Sequence, residues 1–169
     1  MNKWDEKIAT EFTGEAAEVL AGGPAMVIGW PRALRHVHTY GLLTPFFEAL
    51  QEGRLLATRC ANGLCAENRR WLPPRADCPD CLKRMEWSEL APPVIGKVYA
   101  YTMVDYAGVG VELKTPYWQI DVELPDMATT PKGYLLHGKP KIGMEVEARF
   151  RTANPTNTIL DMYWVPREG

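Results

Sequence analysis

The sequence predicts a mainly β protein with helices near its N-terminus, a four-cysteine ribbon in the middle and a small five-stranded barrel at its C-terminal end. Three observations carry that prediction. Cys60, Cys65, Cys78 and Cys81 fall within 22 residues as two close pairs. Beyond Pro92, apolar and polar residues alternate over five short segments. No helical pattern among those segments is long enough to serve as a parallel crossover.

Residues 1–53 read as a leader followed by a helix. Trp4, Ile8 and Phe12 recur at four-residue spacing and predict a helical start, Gly14 breaks it, and a second short helix is expected over Glu15 to Leu20, ended by Gly22-Gly23-Pro24. A stronger helix follows: Thr44 can cap it, Pro45 suits its first position, and Phe46 to Glu52 runs up to Gly53 as a stop. Two adjacent phenylalanines exceed what one buried stripe on so short an element needs, so one of Phe46 and Phe47 is expected to face a partner; the alternative is that both are core.

Residues 54–90 carry the ribbon, with Leu55-Leu56-Ala57-Thr58 and Met85-Glu86-Trp87 as flanking strands. Residues 91–169 carry the barrel. Lys97 to Tyr106 is rich in Val, Tyr and Thr; Trp118, Ile120, Val122 and Leu124 alternate with polar residues; so do Met144, Val146, Ala148 and Phe150. Gly133 to Gly138 and Thr158 to Val165 complete five strands, expected to be antiparallel. Closing them into an OB-like barrel removes exposed edges. No internal repeat or low-complexity tract interrupts the chain.

The cysteine pattern is Cys60-x4-Cys65-x12-Cys78-x2-Cys81. Each pair can sit in a tight turn and offer two thiolates, so that four sulfurs meet around a zinc ion at about 2.3 Å; with no open coordination position, such a site is structural. Cys78-Pro79-Asp80-Cys81 is a knuckle of common width. The first pair is two residues wider, and Asn62-Gly63 is a turn signal that can absorb the excess. Iron fits the same thiolate geometry, and a disulfide or redox pair is a further alternative, although no βαβ pattern surrounds Cys78 and Cys81 as a thioredoxin-like reading requires.

Composition bounds the rest. The chain has 169 residues, 46% hydrophobic and 24% charged, with a net charge of −2, which suits one core with an appendage and supplies no field to recruit nucleic acid or membrane. No apolar run approaches the roughly 20 residues that span a bilayer, and the start lacks a secretory layout, so a cytoplasmic protein is expected, where disulfides are disfavoured. Locally, Arg54, Arg59, Arg69, Arg70, Arg75, Lys83 and Arg84 face only three acidic residues over the same span. That cluster reads either as a phosphate patch, for nucleic acid or for coenzyme A with Arg69, Arg70 and Arg75 as contacts, or as cations offsetting a four-thiolate metal site. His36 and His38 alternate as on a strand and could form half of an acid/base site, though loop or interface packing accounts for them as well. His137 lies in a strand-like run. No nucleophile elbow, phosphate-binding glycine loop or helical histidine pair is present, and the cysteines are committed, so catalytic residues are not assigned.

The order of these parts resembles a known family. Phe46-Phe47-x-x-Leu50-x-x-Gly53, Arg59-Cys60, Pro73-Pro74-Arg75-x-x-Cys78-Pro79-x-Cys81, Gly96-Lys97-Val98-Tyr99-Ala100-Tyr101-Thr102 and Ile142-Gly143-Met144-Glu145-Val146 together resemble the acyl-CoA-associated zinc-ribbon/OB-fold family, long catalogued as a domain of unknown function. The resemblance covers about residues 41 to 168. Departures are the widened first cysteine pair, the missing glycine after Cys81 and a longer leader. The resemblance implies a rubredoxin-like ribbon, an OB-fold barrel, one zinc ion, and a non-catalytic companion of a thiolase-superfamily enzyme that helps shape an acyl-CoA site; the residues themselves offer Phe46, Phe47, His36 and His38 as candidate partner contacts. A degradative thiolase handling an aromatic acyl-CoA, such as benzoylsuccinyl-CoA, suits the long leader. Two other functions compete: a nucleic-acid-binding module stacking bases on Tyr99, Tyr101, Tyr117 and Trp118, and an independent enzyme using His36 and His38.

Overall fold

The structure, a computed structural model, describes residues 18–20, 26–29, 37–66, 68–108, 111 and 113–167. The chain divides into Met1–Thr39 and Tyr40–Gly169. In the first unit β1 (Glu18–Leu20) pairs antiparallel with β2 (Val27–Gly29), Val19 opposite Ile28. The helix expected over Glu15 to Leu20 is therefore corrected to a strand over its described part. Val19, Val27 and Ile28 are β-branched and two extended segments can satisfy each other's backbone groups, whereas a six-residue helix is below the length that nucleates readily. The helix expected around Trp4, Ile8 and Phe12 lies outside the described residues.

In the second unit a 3-10 turn, Gly41–Leu43, runs directly into α1 (Thr44–Gln51). Thr44 does not cap: Leu43 is the N-cap, and the Thr44 hydroxyl instead donates to the Gly41 carbonyl at 2.7 Å, because the helical turn already begins upstream. The C-terminal stop is as expected. Gly53 takes φ 75°, its N–H donates to Leu50 O at 3.1 Å and the Arg54 N–H to Ala49 O at 2.8 Å, a left-handed cap that satisfies two orphan carbonyls.

A three-stranded antiparallel sheet follows, with β3 (Leu55–Cys60) between β4 (Arg70–Trp71) and β5 (Met85–Leu90). β3 joins two cores. Leu55 and Ala57 at its start are buried with Phe46 and Leu50, while Cys60 at its end is buried with Cys78 and Met85.

β6 (Ile95–Val104), β7 (Tyr117–Glu123), β8 (Lys132–Leu135), β9 (Glu145–Phe150) and β10 (Met162–Pro166) form a closed barrel in the order β10-β8-β7-β6-β9. The ten-residue β6 pairs with β9 at its start and with β7 from Lys97 to Val104, across an irregularity between Val98 and Ala100. All neighbours are antiparallel except β8 and β10, which are parallel through Leu135 and Trp164. This corrects the expectation of five antiparallel strands: an odd number of strands cannot alternate direction around a closed ring. Two strands are shorter than expected. β8 stops at Leu135, leaving His137 exposed beyond it, and the segment before Met162 is a 3-10 turn, Ile159–Asp161, capped by the Thr158 side chain.

Alternate residues of the barrel strands, among them Val98, Ile120, Val122, Val146 and Trp164, fill its interior and are continuous with Phe46 and Leu50 of α1 and Leu72 beside β4. Each such side chain contributes about 1.5–3 kcal/mol by leaving water. The segment after β7 also runs along β4: the Arg70 N–H donates to Asp126 O at 3.0 Å and the Ala128 N–H to Arg70 O at 2.8 Å. Thr129 completes the seam, its hydroxyl donating to Leu72 O at 2.6 Å and accepting from the Leu72 N–H at 3.3 Å.

Candidate metal centre and the surfaces around it

Cys60 ends β3, Cys65 closes the first turn, and Cys78 and Cys81 flank the second, between β4 and β5. The widened first pair is accommodated as its sequence suggested. The Cys65 N–H donates to Asn62 O at 2.9 Å and the Leu64 N–H to Asn62 Oδ1 at 3.2 Å, so Asn62 makes the turn with both its backbone and its side chain. The second knuckle closes through Cys78 N–H to Lys83 O at 2.8 Å and Leu82 N–H to Cys78 O at 2.9 Å.

These turns bring four sulfurs together. Cys60 and Cys81 Sγ are 3.5 Å apart, Cys65 and Cys78 Sγ 3.7 Å, and all four lie within 4.8 Å of one another as free thiols. Four thiolates around one tetrahedral ion at about 2.3 Å would stand about 3.8 Å from each other. The donor set fits a metal ion such as zinc. Cys60 and Cys78 are buried and Cys65 and Cys81 half-buried, so the centre sits at the tip of the sheet with one side toward solvent. The Asn62 side chain and the Lys83 backbone hold the Cys81 thiol down to about 6, which favours the thiolate a metal needs. At Cys60 the Asn62 backbone also favours the thiolate, but burial and the adjacent Cys81 and Cys78 sulfurs outweigh it and raise the thiol.

The basic residues around the centre are mostly engaged. Arg59 and Arg70 both pair with Asp126, Arg70 at 3.3 Å; Arg84 pairs with Asp77 at 3.1 Å; Arg54 pairs with Glu52 and, at 3.0 Å, with Glu89. Arg75 lies over the Trp71 ring at 4.8 Å. Arg69 is exposed and lines a cleft of about 560 Å³ with Lys97, Glu123 and Glu145. The local excess of cations seen in the sequence is thus largely answered by carboxylates distant in the chain, Asp126 and Glu89 above all.

Of the candidate partner contacts, Phe46 is only 1% exposed and belongs to the core. Phe47 is half-buried, with Tyr40 stacked on it at 3.6 Å between ring centroids. His38 is exposed, and His36 lies outside the described residues. Asn62 and Asp126 are the site residues that sequence reasoning missed. Asn62 was legible as a turn former but not as a neighbour of Cys81; Asp126 gave no signal, because its partners are 56 and 67 positions away.

A four-cysteine sheet sharing one core with a closed five-stranded barrel defines a two-part ribbon-and-barrel protein. No family model matches the sequence. It is, however, 36% identical over 100 residues to the DUF35 domain-containing scaffold protein of Methanocaldococcus jannaschii, an alignment spanning 57% of this chain and 67% of that protein. The chain belongs to the DUF35 family. Solved structures agree: a Sulfolobus solfataricus DUF35 protein of unknown function superposes with a TM-score of 0.54 at 18% identity, covering 75% of this chain and 87% of that one. The Ltp2-ChsH2(DUF35) aldolase structure superposes with a TM-score of 0.59 at 26% identity, covering 78% of this chain and 98% of its own. Among the described residues no helix is long and apolar enough to cross a membrane.

Proposed function

We propose that this chain is an accessory scaffold subunit that holds a structural zinc ion on Cys60, Cys65, Cys78 and Cys81, docks on a thiolase-superfamily partner and helps shape that partner's acyl-CoA site. The observation that carries the reading is the convergence of every cysteine in the chain on one four-sulfur centre, in a family whose relatives include a named scaffold protein and an aldolase with a DUF35 component. Four thiolates leave a zinc ion no open position, so the ion would brace the two knuckles against β3 and supply no reactive water.

An OB-fold assignment for the barrel is supported by its strand order, in which the third and fifth strands close the ring in parallel. In this reading the partner meets Phe47 and the His36 to His38 segment, coenzyme A phosphates meet Arg69, Arg70 and Arg75, and the complex is cytoplasmic. An aromatic acyl-CoA of the benzoylsuccinyl-CoA type is the substrate class we assign to the partner.

Affinity capture of the native chain tests the proposal, followed by thiolysis assays of the captured partner with and without it. Co-purification of a thiolase-like enzyme whose activity or substrate affinity depends on this chain is the expected result. A partner with full activity and unchanged substrate affinity alone would sink the reading.

A further inference from the structure

Two adjoining cavities on the barrel involve no cysteine and none of the residues assigned above to metal, partner or coenzyme. The first, of about 320 Å³, is lined by Arg151, Asn154 and Thr158 with Leu113, Tyr134 and Leu160. The second, of about 160 Å³, shares Leu113, Tyr134 and Leu160 and continues over Ile159 and Met162. One half of the combined cleft is polar and the other apolar.

Arg151 distinguishes the polar half. Arg54, Arg59, Arg70, Arg84, Arg149 and Arg167 each have a carboxylate partner, and Arg75 lies over Trp71. Among the described residues no carboxylate pairs with Arg151. The nearby acid, Asp161, is 1% exposed and turned to its own loop, accepting from the Thr156 N–H at 2.6 Å, the Thr156 hydroxyl at 2.7 Å and the Asn157 N–H at 2.8 Å. That carboxylate holds the wall of the cleft in place, and Tyr40 and Gln51 brace the same loop from outside by donating to Asn157 O at 2.7 Å and Asn157 Oδ1 at 2.9 Å. A guanidinium without a counter-ion on a braced wall, next to an apolar recess, matches a ligand with an anionic head and a short apolar tail.

We propose that this cleft binds a small amphipathic acid, its carboxylate or phosphate on Arg151 and its apolar body against Leu113, Leu160, Ile159 and Met162. The site is independent of the scaffold reading, since it needs neither metal nor partner. Calorimetric titration of the full chain with hexanoate, hexyl phosphate, 1-hexanol and acetate tests it. At least one of the two six-carbon acids binds saturably and tenfold or more tighter than both 1-hexanol and acetate, and whichever acid binds tighter identifies the head. Arg151→Gln weakens that acid tenfold or more, Arg151→Lys less so, and Leu113→Asp weakens it as well, while Arg149→Gln, a paired surface arginine, leaves it unchanged. Circular dichroism melts confirm that each variant is folded. Absence of saturation by either acid up to about 10 mM, equal affinity for 1-hexanol, or unchanged affinity in a folded Arg151→Gln chain overturns the proposal.

Discussion

Arg70 is bound to Asp126 twice, its backbone N–H donating to the Asp126 carbonyl at 3.0 Å and its Nε to the carboxylate at 3.3 Å. Arg70 belongs to the ribbon sheet and Asp126 to the barrel side, so this pair marks the seam along which the two halves are joined. Thr129 and Leu72, with two further bonds, extend it.

The seam predicts an asymmetry between charge and hydrogen bonding. The Asp126 and Arg59 side chains are about two-fifths exposed, so Asp126→Ala loses only about 0.5–1 kcal/mol, screened further by salt. Thr129→Val strips the partner from both the N–H and the C=O of buried Leu72 and loses about 2–3 kcal/mol. Urea unfolding of both variants checks the order; a larger loss from Asp126→Ala would show that the seam is electrostatic.

Metal removal tests the four-sulfur centre. The chain as isolated is expected to carry about one zinc ion, and Cys78→Ser to lose it together with the packing of Met85 and the knuckles. Elemental analysis measures the first and chelator-dependent melting the second. Protons compete for thiolates, so metal retention falls as pH falls.

Leu82 occupies φ 58°, a left-handed conformation that disfavours any residue with a Cβ, and its side chain is 78% exposed. Leu82→Gly removes about 1–2 kcal/mol of strain and gives back about 0.5–1 kcal/mol in unfolded-chain entropy, with no packing lost, so it stabilises by about 0.5–1 kcal/mol. A thermal melt of the variant below that of the parent chain would contradict this. The position is the one where the family resemblance expects glycine.

Gly96, at the start of β6, has no room for a methyl group. A Cβ there would meet Glu123 O at 2.7 Å and Leu124 Cδ2 at 2.9 Å, and would press harder still on Val122. The carbonyl belongs to the paired strand and cannot swing away, so Gly96→Ala costs about 2–3 kcal/mol. Denaturant titration measures it, with Gly63→Ala, which meets nothing within 4 Å, as the control.

Much of this was legible in the residues themselves. The spacing of Cys60, Cys65, Cys78 and Cys81 announced the centre, Asn62-Gly63 announced how the wide pair would close, and period-two alternation marked the barrel strands, because each of these is a local constraint read over a few residues. Where local signals were weak they misled. Glu18 to Leu20 carried no strong periodicity, and pairing with Val27 to Gly29 decided it. Thr44 had the chemistry of a cap, but an upstream 3-10 turn took its hydroxyl.

By itself the sequence determined the inward faces of two barrel strands, through Ile120 and Val122 and through Val146 and Ala148, and that four thiols would be held on two short knuckles. Only the tertiary structure decided that Phe46 is buried while Phe47 lies under Tyr40, that Asp126 answers Arg59 and Arg70, and that Arg151 is left facing a cleft. Alternation and turn chemistry act between neighbours, whereas these outcomes depend on which distant strands close the ring, a choice made by the summed burial of one shared core.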